Sequence, residues 1–388
     1  MLTRVLLYTG KGGVGKTTLS AATAVLASRR GCKTLVISTD AAHSLADALE
    51  VEIGEQRREI APNLFAEEIS VHRELEVHWD RIQDYVRRLL TSQGYDDLVA
   101  EELAIMPGME ELFSLLKLGD YLDDKEFDLI VIDSAPTGAA LKLLSFTDII
   151  QWYMERFFDL NRKVVKTIKP IAERVIKAPM PGDDVYDQAY QMYKRMLNIK
   201  NYLADPRYSS IRIVCNPEKM VVKESQRAYT YLSLFGFPVD LLIVNRVLST
   251  DNGEYGSWPE IQAKYLKQIR SSFNPLPILE VPLYDRETLG IQRLTQLGTD
   301  LFGERNPDEI FHTMRPLRIE SRNGTAELRI HMPHVEKDQI DLWVKQNELI
   351  ITVMDYQRNF LLPDTLVGRR VKRARMVGDD FVVSFGRA

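Results

Sequence analysis

The sequence predicts an α/β fold, a parallel sheet with a helical subdomain set into it, followed by a C-terminal all-β sandwich. Three observations predict it. Short continuous apolar runs (residues 5–7, 34–38, 129–132, 211–214 and 241–244) alternate with helical stretches, as strands buried on both faces of a parallel sheet do. From Trp152 to Leu203 the apolar positions recur at spacings of three and four, the helical period. Beyond Leu317 the pattern changes to alternation, the period of a half-exposed strand.

A chain of 388 residues is long enough for two or three domains, and 45% hydrophobic residues is ordinary for a protein with sizeable cores. The formal charge of −5 argues against a nucleic-acid coat, so no nucleic-acid partner is expected. No apolar run approaches the ~18 residues of a membrane span. The first strand starts within five residues of Met1, so no signal peptide is expected. Cys32 and Cys215 lie far apart without CxxC spacing and read as reduced, buried thiols in a cytoplasmic setting.

The first element in order is Val5–Leu7, followed by Tyr8-Thr9-Gly10-Lys11-Gly12-Gly13-Val14-Gly15-Lys16-Thr17-Thr18 and a small-residue helical stretch to Arg30. Strand, glycine loop, helix is the P-loop arrangement, so the fold class sharpens to a P-loop NTPase. Glycines let the backbone wrap a polyphosphate, and successive N–H groups with the helix N-terminus supply positive potential. The stretch Gly10 to Thr18 is therefore the expected nucleotide cradle for ATP. Lys16 is expected on the β and γ phosphates, and the Thr17 hydroxyl on Mg²⁺. Lys11 is either a solvated lysine in a polar loop or a second functional lysine. The loop Lys-Gly-Gly-Val-Gly-Lys-Thr resembles the deviant P-loop of the MinD, ParA, nitrogenase iron protein and arsenical pump group. That resemblance implies a homodimer in which Lys11 crosses to the partner's nucleotide.

Gly31 stops the first helix, and the strand 34–38 leads to Thr39-Asp40-Ala41-Ala42-His43-Ser44. Ligands collect at the carboxyl ends of parallel strands. Asp40 there is a candidate for orienting the attacking water, or else the N-cap of the next helix. Residues 67–118 read as mainly helical and charged, with His72 and His78 in no ligand cluster and Leu103, Met106, Met109, Phe113 and Leu116 as a core stripe. The run 129–132 ends in Asp133, which suits a carboxylate that supports Mg²⁺ through its bound waters, and Gly138 is placed to close on a γ-phosphate. Asp40, Asp133 and Gly138 are thus the expected nucleotide switch.

The stretches Ser38-Thr39-Asp40-Ala41-Ala42-His43-Ser44, Pro107-Gly108-Met109-Glu110-Glu111 and Asp133-Ser134-Ala135-Pro136-Thr137-Gly138 resemble those of the arsenical pump and tail-anchored-protein targeting ATPases. Two positions depart from that family: Ala41 stands for a proline, and Ala139 for a histidine. The resemblance implies a Mg²⁺-dependent ATPase in which Asp40, Lys16 and Lys11 carry the catalysis. It also implies a helical subdomain, about residues 147–205, that holds hydrophobic or membrane-protein client segments. Two amphipathic stripes fall there, Phe157, Leu160, Val164, Ile168, Ile171 and Val175, then Val185, Ala189, Met192, Met196, Ile199 and Leu203. The break Pro179-Met180-Pro181-Gly182 parts them. Flexible Met and aromatic contacts accommodate varied apolar ligands, but stripes this narrow can equally bury themselves on a neighbour.

Ile211–Val214 leads to Cys215-Asn216-Pro217-Glu218, and Leu241–Val244 to Asn245-Arg246. An asparagine amide donates and accepts, which fits an adenine edge. By resemblance Asn245 is the base contact, with Asn216 and Glu218 as neighbours and Pro282 and Leu283 beside the adenine. Between Asp251 and Tyr255, where eukaryotic targeting ATPases carry a CxxC, no cysteine occurs, so no zinc is expected.

The helical pattern fades around residues 303–307. Alternating runs follow at 327–332, 340–345, 349–353, 360–363 and 381–385, with turns at Asn323-Gly324 and Gly378-Asp379. Their order resembles an α-crystallin (small heat-shock protein) domain, without a C-terminal Ile-x-Ile tail. Arg369, Arg370, Lys372, Arg373 and Arg375 read as a solvated strand face. The expected boundaries are 1–313 for the ATPase domain and 314–388 for the sandwich. The expected function is a homodimeric ATPase that binds and releases hydrophobic protein segments. The alternatives are a nucleotide-gated holdase or scaffold with low turnover, an arsenite-efflux ATPase, or a ParA- or MinD-like positioning ATPase.

Overall fold

In the computed structural model the described residues are 2–39, 44–54, 56–69, 80–92, 96, 109–134, 151, 154, 182–249, 255–322, 325–345, 348–362, 366, 368–386. The expectations placed on Asp40, Ala41, Ala42, His43, His72, His78, Leu103, Met106, Pro107, Gly108, Gly138, Ala139, the stripe 157–175 and the turn Asn323-Gly324 lie outside them. The chain divides into two compact units, residues 1–68 with 125–141 and 202–388, and residues 69–124 with 142–201.

The first unit holds an eight-stranded sheet. Its strands are β1 (Arg4–Thr9), β2 (Thr34–Ser38), β3 (Arg58–Ala61), β4 (Leu64–Glu68), β5 (Leu129–Asp133), β6 (Ser209–Cys215), β7 (Val239–Val247) and β8 (Ile278–Pro282), ordered β3-β4-β2-β5-β1-β6-β7-β8. All neighbours run parallel except β3 and β4, an antiparallel edge hairpin. That hairpin departs from the expectation that helix begins at residue 67; Pro62-Asn63, with Asn63 at φ 60°, makes the turn between its two short strands. The central strands are fully buried, which is why their sequences run apolar without alternation.

The helices of this unit are α1 (Lys16–Arg29) and α2 (Ser44–Leu49), and, beyond the second unit, α6 (Lys219–Leu234), α7 (Trp258–Ser272) and α8 (Gly290–Phe302). The second unit is helical in its described residues: α3 (Asp80–Ser92), α4 (Met109–Asp124) and α5 (Asp183–Leu203), the last two residues of which belong to the first unit. α1 is buried nearly all round, and its alanines let α8 approach closely: a Cβ on Gly298 would sit 2.8 Å from the Ala22 carbonyl oxygen. Such a contact cannot be relieved without separating the helices.

A buried ionic group ties the sheet to the segment after α8. The fully buried Arg212 bonds the Tyr8 hydroxyl at 3.1 Å, Asp240 Oδ1 at 3.4 Å and the Glu309 carbonyl at 3.3 Å. Arg4 reaches the same Asp240 at 3.4 Å, and burial lowers its pKa to about 10. Asp240 also accepts from the Phe311 N–H. The Arg212 guanidinium persists in such a place because each of its three nitrogens finds a partner.

Residues 317–386 form two antiparallel sheets, as the alternation predicts. One is β14 (Arg370–Val377), β15 (Asp380–Gly386), β10 (Thr325–His331) and β9 (Leu317–Arg322), in that order. The other is β11 (Ile340–Lys345), β12 (Glu348–Val353) and β13 (Tyr356–Leu361). Leu328, Ile330, Val383 and Phe385 of the first and Leu349, Ile351 and Val353 of the second are buried. This part rests on α6: the Tyr231 and Tyr356 ring centroids are 4.1 Å apart, Thr230 donates to the Pro333 carbonyl and Arg358 to that of Leu234.

Candidate functional site

The glycine loop leaves β1 at the middle of the sheet, between β5 and β6. Gly10 has φ 154°, and a Cβ there would lie 2.3 Å from the Val214 carbonyl oxygen, so the loop passes hard against the end of β6. Gly15 caps α1 in the left-handed region at φ 96°. The first bond of α1 runs from the Leu19 N–H to the Gly15 carbonyl at 3.1 Å, which leaves the N–H groups of the first turn directed at the loop. That is an anion site by geometry and by helix dipole.

Two lysines take different courses from this loop. Lys16 is buried, and its Nζ meets the Lys11 carbonyl oxygen at 3.3 Å, folded over the cradle. The Lys11 side chain points the other way; it is 39% exposed, with Nζ 4.0 Å from Glu224 Oε2 on α6. Thr17 Oγ1 lies 3.3 Å from Ser44 Oγ at the start of α2. Asp133 is buried at the end of β5, paired in register with Tyr8 of β1 and Ser38 of β2, and its carbonyl accepts from the Thr39 N–H at 3.0 Å. Two hydroxyls and a buried carboxylate at adjoining strand and helix ends are hard oxygen donors, the class Mg²⁺ takes.

On the other side of the loop a cavity of about 480 Å³ opens, lined by Gly15, Thr18, Asn245, Arg246, Pro282 and Leu283 among others. The structure thus brings Asn245, Pro282 and Leu283 to the same cavity as the cradle. A kink in β7 does this: the register breaks between Val244 and Val247, and Arg246 takes a left-handed φ of 58°. The side chain of Asn245 then donates from Nδ2 to the Val14 carbonyl at 2.8 Å and accepts the Arg246 N–H on Oδ1 at 2.9 Å. Gln262 of α7 holds the kink from behind, donating to the Arg246 carbonyl at 3.2 Å and accepting from the Leu248 N–H at 2.8 Å. Asn216 is buried at the end of β6, and among the described residues its Oδ1 has no hydrogen-bond partner. The Glu218 side chain has no cap bond to α6.

Ser44, Gln262 and the loop after Leu283 were not legible as site residues. Ser44 ends the motif quoted above, and its hydroxyl was the available signal. Gln262 carries none, since it acts on a kink that only the fold reveals. Tyr284, in the same lining, donates to Asp300 Oδ2 at 2.6 Å, and burial together with that carboxylate raises its pKa.

In the second unit, the α5 stripe is largely spent on internal packing: Val185, Met196 and Ile199 are buried, and Ala189 and Met192 half-buried. A Cβ on Gly119 of α4 would lie 2.8 Å from Ile199 Cδ1. The groove of about 520 Å³ between these helices is lined by Leu116, Asp123, Gln188, Met192, Arg195 and Asn198, a mostly polar set. Among the described residues no helix is long and apolar enough to cross a membrane.

Residues 3–303 match the family described as anion-transporting ATPase, and residues 323–385 match the HSP20-like domain found in ArsA. The chain is 37% identical over 392 residues to a putative arsenical pump-driving ATPase 1 of Aquifex aeolicus, covering 98% of this chain and 99% of that one. A putative arsenical pump-driving ATPase of Prosthecochloris vibrioformis is 37% identical over 370 residues, 94% of this chain and 91% of its own. ATPase ASNA1 homolog 1 of Paramecium tetraurelia is 29% identical over 299 residues, 74% and 88% of the two chains.

Proposed function

Because this chain belongs to the anion-transporting ATPase family and is an ATPase, we propose that it works as a Mg²⁺-dependent homodimer that binds and releases hydrophobic protein segments under nucleotide control. The proposed division is an ATPase domain over 1–313, with a helical client-binding part near 147–205, and an α-crystallin-like domain over 314–388. A reducing, cytoplasmic setting suits two cysteines that form no disulfide.

One observation carries the reading: of the two loop lysines, Lys16 is folded onto its own cradle and Lys11 is held outside it. The Lys11–Glu224 pair is long and half-exposed, and such pairs hold by about 1 kcal/mol or less, so little opposes a swing of Lys11 to a second chain's phosphates. Lys16 holds the β and γ phosphates within its own chain. Asp40 orients the attacking water and, with Asp133 and Gly138, reports the presence of the γ-phosphate. Mg²⁺, when bound, supplies charge neutralisation at the phosphates; the Thr17 hydroxyl is the residue that would hold it and Asp133 the carboxylate that would support it. Asn245, Pro282 and Leu283 face the base. Client binding falls to the helical part near 147–205, in which much of the stripe Val185 to Leu203 is committed to packing.

An arsenite-efflux role finds less support. A soft metalloid takes clustered thiols, and this chain has two cysteines far apart in sequence, Cys32 and Cys215, with Cys215 buried.

Lys11→Ala tests the proposal. It should still bind ATP in a calorimeter but hydrolyse it about 1,000-fold more slowly or worse, by analogy with other cationic groups supplied in trans. It should also lose nucleotide-dependent dimerisation in sedimentation runs. Hydrolysis at the parent rate would end the two-chain reading.

A further inference from the structure

The strands at the edges of the two C-terminal sheets differ in what guards them. β14 carries Arg370, Lys372, Arg373 and Arg375 and a register break between Val371 and Arg373, devices that repel a second strand. β13 packs on α6 through Tyr356 and Arg358. β9 holds Arg318 and Glu320 in an ion pair at 3.1 Å. β11 has no register break, and its two charges, Asp341 and Lys345, are of opposite sign. Asp341, Trp343, Val344 and Lys345 are exposed, Trp343 by 67%, and among the described residues no strand pairs with its outer edge. An open edge with an exposed tryptophan at its centre is an invitation to pairing.

We propose that β11 pairs antiparallel with the β11 of a second copy of this chain, about a two-fold axis through Trp343. The sequence Ile340-Asp341-Leu342-Trp343-Val344-Lys345 is self-complementary in that register. Trp343 faces its own copy, and two residues to either side Asp341 meets Lys345 of the second copy and Lys345 meets Asp341. Because side chains alternate, these six residues share the one solvent face of the joined sheet. Among the described residues neither Asp341 nor Lys345 is in an ion pair within its own chain, so both charges are available. Leu342 and Val344 oppose each other on the inner face and continue the apolar layer of Leu349 and Ile351. A register shifted by two residues would set Trp343 against a charge and break both ion pairs, so this one is favoured. The contact is isologous, and it turns a three-stranded sheet into a six-stranded one.

The proposal is independent of the ATPase dimer, because it needs no nucleotide. Its test is sedimentation of the full-length protein without nucleotide, over a range of concentrations. Asp341→Lys and Lys345→Asp, each of which places like charges opposite, should weaken self-association about tenfold, and the double exchange should restore it. Under mild oxidation Trp343→Cys should form a disulfide-linked dimer, whereas Asp341→Cys alone should not exceed the parent treated alike, since its register partner is residue 345. A parent that stays monomeric, charge variants that associate like the parent, or equal cross-linking of the two cysteine variants would each overturn it.

Discussion

Gly15 joins two demands that no other residue type meets. Its φ of 96° is left-handed, and a Cβ would lie 2.4 Å from Asn245 Nδ2, the atom that donates to the Val14 carbonyl. Gly15→Ala therefore strains the backbone, by about 1–3 kcal/mol, and pushes Asn245 off the loop. The expected result is a lower melting temperature and at least about a tenfold loss of ATP affinity by calorimetry, the equivalent of one hydrogen-bonded brace. Unchanged affinity would remove Asn245 from the cradle. The left-handed Arg246 and the buried Gln262 behind it belong to the same small mechanism, a kink that turns one amide toward a loop more than two hundred residues away.

At the scale of elements, α6 is the seam between the ATPase sheet and the β-rich C-terminal part. His331 is buried there and His334 half-buried, beside the Tyr229 ring at 5.6 and 6.4 Å, with Phe273 5.5 Å from His334. Burial lowers both pKa values below the usual 6.5; Asp380 and Asp379 oppose that shift at His331, with Arg318 adding to it, and Asp379 opposes it at His334 while His331 adds to it. A histidine with a depressed folded pKa takes up its proton first in the unfolded chain. Its contribution to stability is therefore complete above about 6.5 and is lost as the pH falls through the folded value. Melting temperature should accordingly drop between pH 7.5 and 5.5, and a His331→Asn, His334→Asn double variant should show a flatter profile over the same interval. A parent profile as flat as the variant's would contradict the burial argument.

For the whole molecule, the cradle and the cavity beside it are built from residues before position 298, while the C-terminal sheets cover Tyr229, Tyr231 and Phe235. Ending the chain after Pro316 should thus leave ATP binding in place but expose that apolar face, seen as a lower melting temperature and increased binding of a hydrophobic dye. Capture of hydrophobic segments should survive the truncation under the proposed function; its loss would move recognition to the C-terminal part, the holdase alternative. The sequence by itself determined the phosphate cradle, the parallel strands around it and the β-rich end, because each is written in local terms: glycines and a lysine at fixed spacing, unbroken apolar runs, a period of two. The edge hairpin at residues 58–68 was missed because its strands are short and one is largely polar. The tertiary structure alone decided that Ser44 stands beside Thr17, that Gln262 props Asn245, that Arg212 can be buried among Tyr8, Asp240 and Glu309, and that β11 is left open. Such pairings depend on which distant segments the sheet order brings together, and no spacing along the chain encodes a distance through space.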